Sequence, residues 1–430
     1  MRISVIGCGY LGAVHAACMA ELGHDVVGID VDATKIENLA AGRSPFFEPG
    51  LDELLGNGHG RLRFTTDFAE ADGARVHFIA VGTPQKPGSN AAELRFVEAA
   101  VQSLLPHIGP GHLVVGKSTV PVGTAERLAA LVEPTGAELA WNPEFLREGF
   151  AVSDTLSPDR FVYGVRQGDE RSVEVLDAVY ARPLESGTPR IVTDYATAEL
   201  VKVSANAFLA TKISFINAIA EIAEVTGADI TTLADAIGYD NRIGRRFLNA
   251  GVGFGGGCLP KDIRAFQARA TELGLDSLAF LDDVDQINLR RRQRVVDLVQ
   301  EHLGGSLEGR GVAVLGLAFK PESDDVRDSP ALDVAARLAA LGAAVRATDP
   351  EAIETARRVQ PDLDYRASID EAIAEADALV VVTEWRQFRE IDPAEISERT
   401  RARVIIDGRN CLDPQAWRAA GWTYVGLGRP

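Results

Sequence analysis

Residues 1–30 constrain the fold more than any other stretch. A short apolar run at 3–6 leads into GCGYLG at 7–12; a helically patterned stretch at 11–22 stops at Gly23, and a second apolar run at 25–29 ends on Asp30. Strand, glycine turn, helix and strand in that order form a βαβ unit, the building block of a mostly parallel sheet covered on both faces. Gly7, Gly9 and Gly12 let the turn lie against a pyrophosphate, and the helix start favours the anion. Asp30 is placed to accept from ribose hydroxyls and would repel a 2′-phosphate, so NAD is expected rather than NADP. A tight strand–helix turn without a ligand is the plainer alternative.

The same rhythm continues with strands predicted at 76–81, 113–117 and 138–141, alternating with Ala-rich helices at 91–105 and 125–131. From 194 to about 299 strand patterning disappears, and long helices are predicted over 197–226 and 278–303. Strands resume at 312–315, 344–347, 378–382 and 403–406. The expected class is α/β: two Rossmann-like doubly wound domains joined by a central helical domain, divided as 1–193, 194–304 and 305–430. The last domain opens on GLAFK at 316–320, which lacks two of the first turn's glycines. The cofactor therefore belongs to the first domain and a different ligand to the last.

A chain of 430 residues is long enough for two or three such domains. With 44 basic against 62 acidic residues its net charge is −18, which disfavours nucleic acid and anionic membrane surfaces as partners. Local Lys and Arg can still reverse the field inside a cleft for an anionic substrate. No apolar run reads as long enough to span a membrane. The sequence opens directly on a strand, so no signal peptide is expected. The four cysteines are widely spaced with no CxxC pair, which excludes a zinc ribbon and a disulfide framework. The seven histidines show no metal-ligand spacing, and no metal is expected. These features place the chain in the cytoplasm.

Several segments carry chemistry. VGTP at 81–84 and GKSTVPVGT at 116–124 follow apolar strands, so Thr83, Ser118 and Thr119 project where open α/β sheets bind ligands. Ordinary helix capping is the alternative for each. WNPEFLREG at 141–149 spaces Glu144 and Glu148 to share a helix face. Such pairs are usually solvated, but Trp141, Pro143, Phe145 and Leu146 argue for partial burial, which raises a carboxylate's pKa and enables base chemistry. In LVKVSANAFLA, Lys202 and Asn206 either stabilise an anionic intermediate together or the lysine snorkels to solvent; the residues alone favour snorkelling. GVGFGGGCLPKD at 251–262 gives a backbone able to lie against a ligand, followed at once by Cys258, Lys261 and Asp262. A thiol beside cations becomes a nucleophile, which fits this setting better than a small buried hydrophobe does.

Taken in order, GCGYLG, VGTP, STVPVGT, NPEFLREG, VKVSANAFLA, GFGGGCLPKD, LGLAFKPESDDVRDSP and IDGRN resemble the UDP-glucose 6-dehydrogenase family, within the wider group that includes GDP-mannose dehydrogenase. The resemblance covers essentially the whole chain. It implies oxidation of UDP-glucose to UDP-glucuronate with two NAD per turnover. Cys258 would attack the aldehyde left by the first hydride transfer, giving a thiohemiacetal; the second hydride leaves a thioester, which water opens. The resemblance assigns Glu144 to thioester hydrolysis, Lys202 and Asn206 to the oxyanion, Asp262 to a catalytic water, and Thr119 to a place beside the reacting centre. For the first proton, Lys202 and an Asp262-bound water both remain open.

By the same resemblance, Gly7, Gly9, Tyr10, Leu11, Gly12, Asp30, Lys35, Thr83, Thr119, Glu148, Lys261 and Arg327 contact NAD. Glu144, Phe145, Leu146, Lys202, Asn206, Arg242, Phe247, Leu248, Phe254, Gly255 and Lys320 contact the nucleotide sugar. The helix after Asp194 resembles a homodimer core, with Arg242 crossing to the partner's substrate. Two positions depart from the family pattern: Gly257 stands where Ser is common before the cysteine, and Ile263 where Thr is common. Both bear on the choice of UDP-glucose over GDP-mannose or a UDP-HexNAc, which the same cysteine would serve. A two-electron hydroxyacid dehydrogenase needs no such thiol. A catalytically dead NAD-binding regulator would have no use for Cys258, Lys202, Asn206, Glu144 and Asp262 together.

Overall fold

The computed structural model describes residues 1–58 and 60–430. The chain forms two compact units, Met1–Ala205 with Ala265–Leu275, and Asn206–Arg264 with Asp276–Pro430. The division falls inside two helices, Tyr195–Thr226 and Leu259–Glu272.

The first unit is built on β1 (Arg2–Ile6), β2 (Asp25–Ile29), β3 (Leu62–Thr65), β4 (Val76–Ile79), β5 (Leu113–Gly116), β6 (Glu138–Trp141), β7 (Phe161–Gly164) and β8 (Arg190–Thr193). They lie in the order β3-β2-β1-β4-β5-β6-β7-β8, parallel except where β6 meets β7. β4 and β5 are buried at every residue, because helices cover both faces of the sheet. Ile3, Val5, Val14 and Phe78 pack on one face, and Ile6, Ile79, Val97 and Leu128 on the other. The strand order reverses between β1 and β4, which opens a ligand crevice at the carboxyl ends of those strands.

The second unit carries β9 (Gly311–Leu315), β10 (Ala344–Thr348), β11 (Asp364–Tyr365), β12 (Ala378–Val381), β13 (Val404–Asp407) and β14 (Thr423–Gly426). Their order, β11-β10-β9-β12-β13-β14, repeats the winding of the first sheet, and every pairing is parallel. Helices Ile230–Gly238 and Phe280–His302 belong to the same unit. Its first turn differs from that of the first sheet in a physical way. Asp349, after β10, accepts from the Leu317 and Ala318 amides (2.7 and 3.1 Å) and from the Trp385 indole (3.1 Å). The Leu317 and Ala318 amides are spent on the chain's own carboxylate rather than left for a pyrophosphate.

The α/β alternation and the long helices stand as the sequence predicts, with three differences. The helix expected over 91–105 begins at Arg95, because Lys86 and Glu93 donate their amides into a preceding loop. β3, β7, β8, β11 and β14 escape sequence patterning: β3, β8, β11 and β14 are short strands with exposed positions, and β7, though buried throughout, is only four residues long. Helix Tyr195–Thr226, 32 residues with hydropathy 1.3, is by length and composition apolar enough to cross a membrane, contrary to the expectation above. Lys202 and Lys212 interrupt its apolar run in the sequence, yet an 18-residue window keeps a mean hydropathy of 1.3. Within the second unit its Ile216, Ala220 and Ala223 pack against Ile230, Ala234 and Leu248.

His77 on β4 is fully buried, between Ser4 Oγ (2.8 Å) and His112 Nδ1 (3.0 Å). Burial, with His112 and His107 nearby, drives its pKa from 6.5 down to about 3. The folded state thus disfavours the proton that the unfolded chain takes up, so stability is full above 6.5 and falls as pH drops toward about 3. In chemical unfolding across that window, the stability gap between wild type and His77→Gln should narrow as pH falls. A gap independent of pH would contradict the burial of a neutral imidazole.

Candidate active site

At the switch point of the first sheet, the residues fit a dinucleotide. A Cβ on Gly12 would overlap the Gly7 carbonyl, and one on Gly7 would run into Val81, so neither position admits a side chain. A Cβ on Gly9 would meet nothing within 4 Å, leaving the turn open on the ligand side. Asp30 Oδ2 accepts from the Cys8 amide (2.7 Å) and Lys35 Nζ (2.9 Å), and Oδ1 accepts from the Asp32 amide (3.0 Å). Burial pushes the Asp30 pKa up, but Lys35 and these amides outweigh it and hold the carboxyl below its ordinary value. Leu11 packs beside the core of this face.

Thr83 Oγ1 donates to the Thr119 carbonyl (2.7 Å) and Ser118 Oγ to the Val81 carbonyl (2.7 Å). These hydroxyls tie the two strand-end loops together; neither caps a helix. Residues 142–147 have no regular secondary structure, which corrects the helix supposed for Glu144 and Glu148. Pro143 disfavours helical backbone at Asn142, and Gly149 takes a φ of 78°. Carboxylates take up the loop's amides: Glu144 holds Leu146 N (2.5 Å), Asp154 holds Arg147 N (2.9 Å), and Glu48 holds Gly149 N (2.6 Å) and Ala151 N (2.7 Å). Glu48 also accepts from the Tyr10 hydroxyl, joining the glycine turn to the loop that carries Glu144, Phe145 and Glu148.

Lys202 does not snorkel. It is 5% exposed and pairs with Glu144 at 3.0 Å. The Phe145 ring lies 5.7 Å from Lys202 Nζ and 3.8 Å from the Arg160 guanidinium. Three residues before Lys202, the buried Glu199 accepts from Gly123 N (2.7 Å) and Ala125 N (2.6 Å), at the start of helix Thr124–Val132. Burial pushes its carboxyl up to about 7 against the pull of those amides. Sequence reasoning missed Glu48 and Glu199. An acid within an apolar helix was the available signal for Glu199; Glu48, in a loop, offered none.

In the second unit the loop before Cys258 is held through its backbone. Asn217 Oδ1 accepts from Gly251 N (2.8 Å), the Gly408 carbonyl from Val252 N (2.7 Å), Asn288 Oδ1 from Phe254 N (2.7 Å) and the Arg327 carbonyl from Gly256 N (2.9 Å). Arg409, from the IDGRN segment, donates to the carbonyls of Gly253, Phe319 and Val382. A Cβ on Gly255 would overlap the Asp328 carbonyl. Cys258 is exposed and immediately precedes the 14-residue helix Leu259–Glu272, whose positive end favours negative charge. Its carbonyl accepts from Asp262 N (2.9 Å). Asp262, 3% exposed, accepts from Asn206 Nδ2 (2.6 Å) and Lys261 Nζ (2.5 Å).

Other expected contacts are placed less uniformly. Arg327 forks onto Asp325, and its guanidinium lies where a Cβ on Gly257 would fall. Lys320 Nζ stands 5.4 Å over the Phe319 ring. Phe247 holds a left-handed φ of 66°, a strained state for an aromatic residue. Arg242 pairs with Asp240 at 2.6 Å and is otherwise solvated. The Phe254 side chain is buried, and Leu248 sits in the helical core, so its side chain is not offered to a ligand.

Removing one partner of the buried Glu144–Lys202 pair leaves an uncompensated charge, at a cost of about 3–5 kcal/mol. Lys202→Met should therefore lower unfolding stability strongly, and adding Glu144→Gln should restore part of it. A double-mutant cycle on chemical unfolding should give a coupling of about 1–3 kcal/mol. Strict additivity would show that the pair carries no interaction.

Models of the UDP-glucose/GDP-mannose dehydrogenase family match along the chain: the NAD binding domain at residues 1–184, the central domain at 196–290 and the UDP binding domain at 313–414. The UDP-glucose 6-dehydrogenase of Rhizobium meliloti (strain 1021) is 42% identical over 438 residues, covering 100% of both chains. The UDP-glucose 6-dehydrogenase YwqF of Bacillus subtilis (strain 168) is 42% identical over 441 residues, covering 100% of this chain and 98% of its own. Among solved structures, a UDP-glucose dehydrogenase from Pyrobaculum islandicum superposes with a TM-score of 0.91 at 41% identity, covering 100% of this chain and 98% of that one. A UDP-D-ManNAc dehydrogenase from Pyrococcus horikoshii gives 0.87 at 28% identity, covering 100% and 99%.

Proposed function

We propose an activity for this chain from one premise: it belongs to the UDP-glucose/GDP-mannose dehydrogenase family. It is an NAD-dependent oxidoreductase that converts UDP-glucose, two NAD and water into UDP-glucuronate. The observation that carries this reading is end-to-end likeness to UDP-glucose 6-dehydrogenases at 41–42% identity, in a chain that keeps an exposed cysteine after a glycine loop.

The glycine turn and Asp30 would hold NAD, with Lys35, Thr83, Glu148, Lys261 and Arg327 as further contacts, and the bound cofactor would supply the hydride acceptor for each of the two oxidations at the sugar's C6. Lys202 and Asn206 hold the developing oxyanion. Cys258 adds to the aldehyde carbon, so that the carbon is tetrahedral before its second oxidation and a thioester after it. Glu144 takes a proton from the water that attacks the thioester, and the carboxylate leaves as Cys258 is released. Asp262 positions a water, and Thr119 lines the reacting centre. For the first hydroxyl proton, Lys202 and an Asp262-bound water stay as alternatives.

UDP-glucose is preferred over a UDP-HexNAc because the relatives acting on UDP-glucose are nearer in sequence than the UDP-D-ManNAc enzyme, at 41–42% against 28%. GDP-mannose dehydrogenase from Pseudomonas aeruginosa superposes less well, with a TM-score of 0.54 at 32% identity. We assign residues 194–304 to a central dimerisation domain between an NAD-binding domain at 1–193 and a nucleotide-sugar-binding domain at 305–430. A homodimer is supported by Phe208, Phe215, Ile222 and Val225, exposed by 67, 52, 57 and 84% on helix Tyr195–Thr226. The first three recur at heptad spacing, an apolar stripe of the kind that marks an interface. Arg242 would reach the partner's substrate. A cytoplasmic location without nucleic-acid or membrane partners completes the reading.

Initial rates of NADH formation with UDP-glucose, GDP-mannose and UDP-N-acetylmannosamine test the substrate. UDP-glucose should lead by at least about tenfold in kcat/KM; a lead by either other sugar would move the substrate and keep the family. In sedimentation, the wild type should run as a dimer or a multiple of it, and Phe215→Glu should shift it toward monomer.

A further inference from the structure

At the end of β5, next to the Ser118–Thr119 loop, the chain turns a lysine inward. Lys117 is 6% exposed, and its Nζ donates to Asn142 Oδ1 (2.9 Å), to the Asn142 carbonyl (3.3 Å) and toward the Tyr180 hydroxyl (3.4 Å). Asn142 is itself fixed: its Nδ2 donates to the Val162 carbonyl (3.0 Å), and its Oδ1 accepts from Tyr180 (2.8 Å). Rings of Phe78 and Tyr180 each lie 5.8 Å from the ammonium. No carboxylate is within ion-pair distance of Lys117 among the described residues. Burying a cation this way costs several kcal/mol, and an apolar residue of the same length would fill the space without that cost. Nothing in the chemistry above uses this lysine.

The surroundings say what it serves. Lys117, Asn142, Glu144, His15 and Tyr180 line one cavity of about 40 Å³, room for a few waters. His15 Nε2, also buried there, has no protein hydrogen-bond partner. Glu144 is the carboxylate whose charge favours the Lys117 ammonium, while Lys202 opposes it; burial outweighs both and brings the lysine down to about 8. Asp154, Asp159 and Arg160 complete the charged wall, and Asp154 is already taken by Arg147.

We propose that Lys117 is the positioning residue for Glu144: it grips Asn142, two residues upstream, and faces the carboxylate across the polar cavity. Glu144 is thereby answered by two ammonium groups, Lys202 in direct contact and Lys117 behind it. The loop from Asn142 to Glu144 has no regular secondary structure, and Lys117 joins Tyr180 and the Val162 and Gly116 carbonyls in fixing its start, while adding a second cation to the cavity Glu144 lines. The inference rests on Glu144 acting as the base of thioester hydrolysis.

Lys117→Met tests it, because methionine fills the space while Asn142 keeps its bonds to Tyr180 and Val162. Circular dichroism and NAD binding verify the fold, and KM for NAD should stay within about twofold. The kcat should fall by about ten- to a hundredfold, the scale of a misplaced catalytic group. A UDP-glucuronyl adduct on Cys258 should accumulate during turnover, detected by intact-protein mass spectrometry after acid quench. Asn142→Ala, which removes the grip from the other side, should show the same adduct and stands in if the methionine variant does not fold. Wild-type kcat, or a fall in kcat without the adduct, would overturn the proposal. Wild-type enzyme in the same run separates this from failure of the function itself: two NADH per sugar there, with no adduct in the variants, condemns the role of Lys117 alone.

Discussion

Loops at the carboxyl ends of parallel strands leave amides that no strand partner satisfies, and a buried amide without an acceptor costs about 1–3 kcal/mol. This chain meets that demand repeatedly with buried carboxylates. Asp30 takes the Cys8 amide of the first glycine turn and the Asp32 amide after β2, Glu48 those of Gly149 and Ala151, Glu199 those opening helix Thr124–Val132, Asp349 those of the second turn, and Asp407 that of Leu412. Asp30, Glu48, Glu199 and Asp349 also pin their loops to distant parts of the chain. The geometry of the candidate site depends on these pins where its residues stand on loops, as Thr119 and Glu144 do.

The same device separates the two doubly wound sheets by function. In the first, Asp30 binds its turn from the side and leaves Gly9 open. In the second, Asp349 and Trp385 close over the equivalent amides. Residues assigned to the reaction divide between the compact units, Thr119, Glu144 and Lys202 in one and Asn206, Cys258 and Asp262 in the other. Lys202 and Asn206 lie one turn apart on helix Tyr195–Thr226.

Much of this was legible in the sequence, for reasons that also explain the failures. Parallel strands buried on both faces give unbroken apolar runs, so β1, β2, β5, β6 and β9 could be placed closely, whereas β8 shows mostly exposed positions and reads as loop. The spacing of Glu144 and Glu148 suits a helix and an extended loop equally; Pro143 was the signal that decided it. The burial of Lys202 turns on Glu144, far away in the chain, and no local pattern can report that. Lys117 was overshadowed by the Ser and Thr beside it, since its partners lie on other elements.

The central claim is that one cysteine lets one site carry out two successive oxidations. The most direct measurement is the NADH formed per UDP-glucose consumed, by wild type and by Cys258→Ser, with the sugar product identified. The account predicts two NADH and UDP-glucuronate for wild type, with turnover lost or stalled in the serine variant. One NADH per sugar, unaffected by the loss of Cys258, would contradict it.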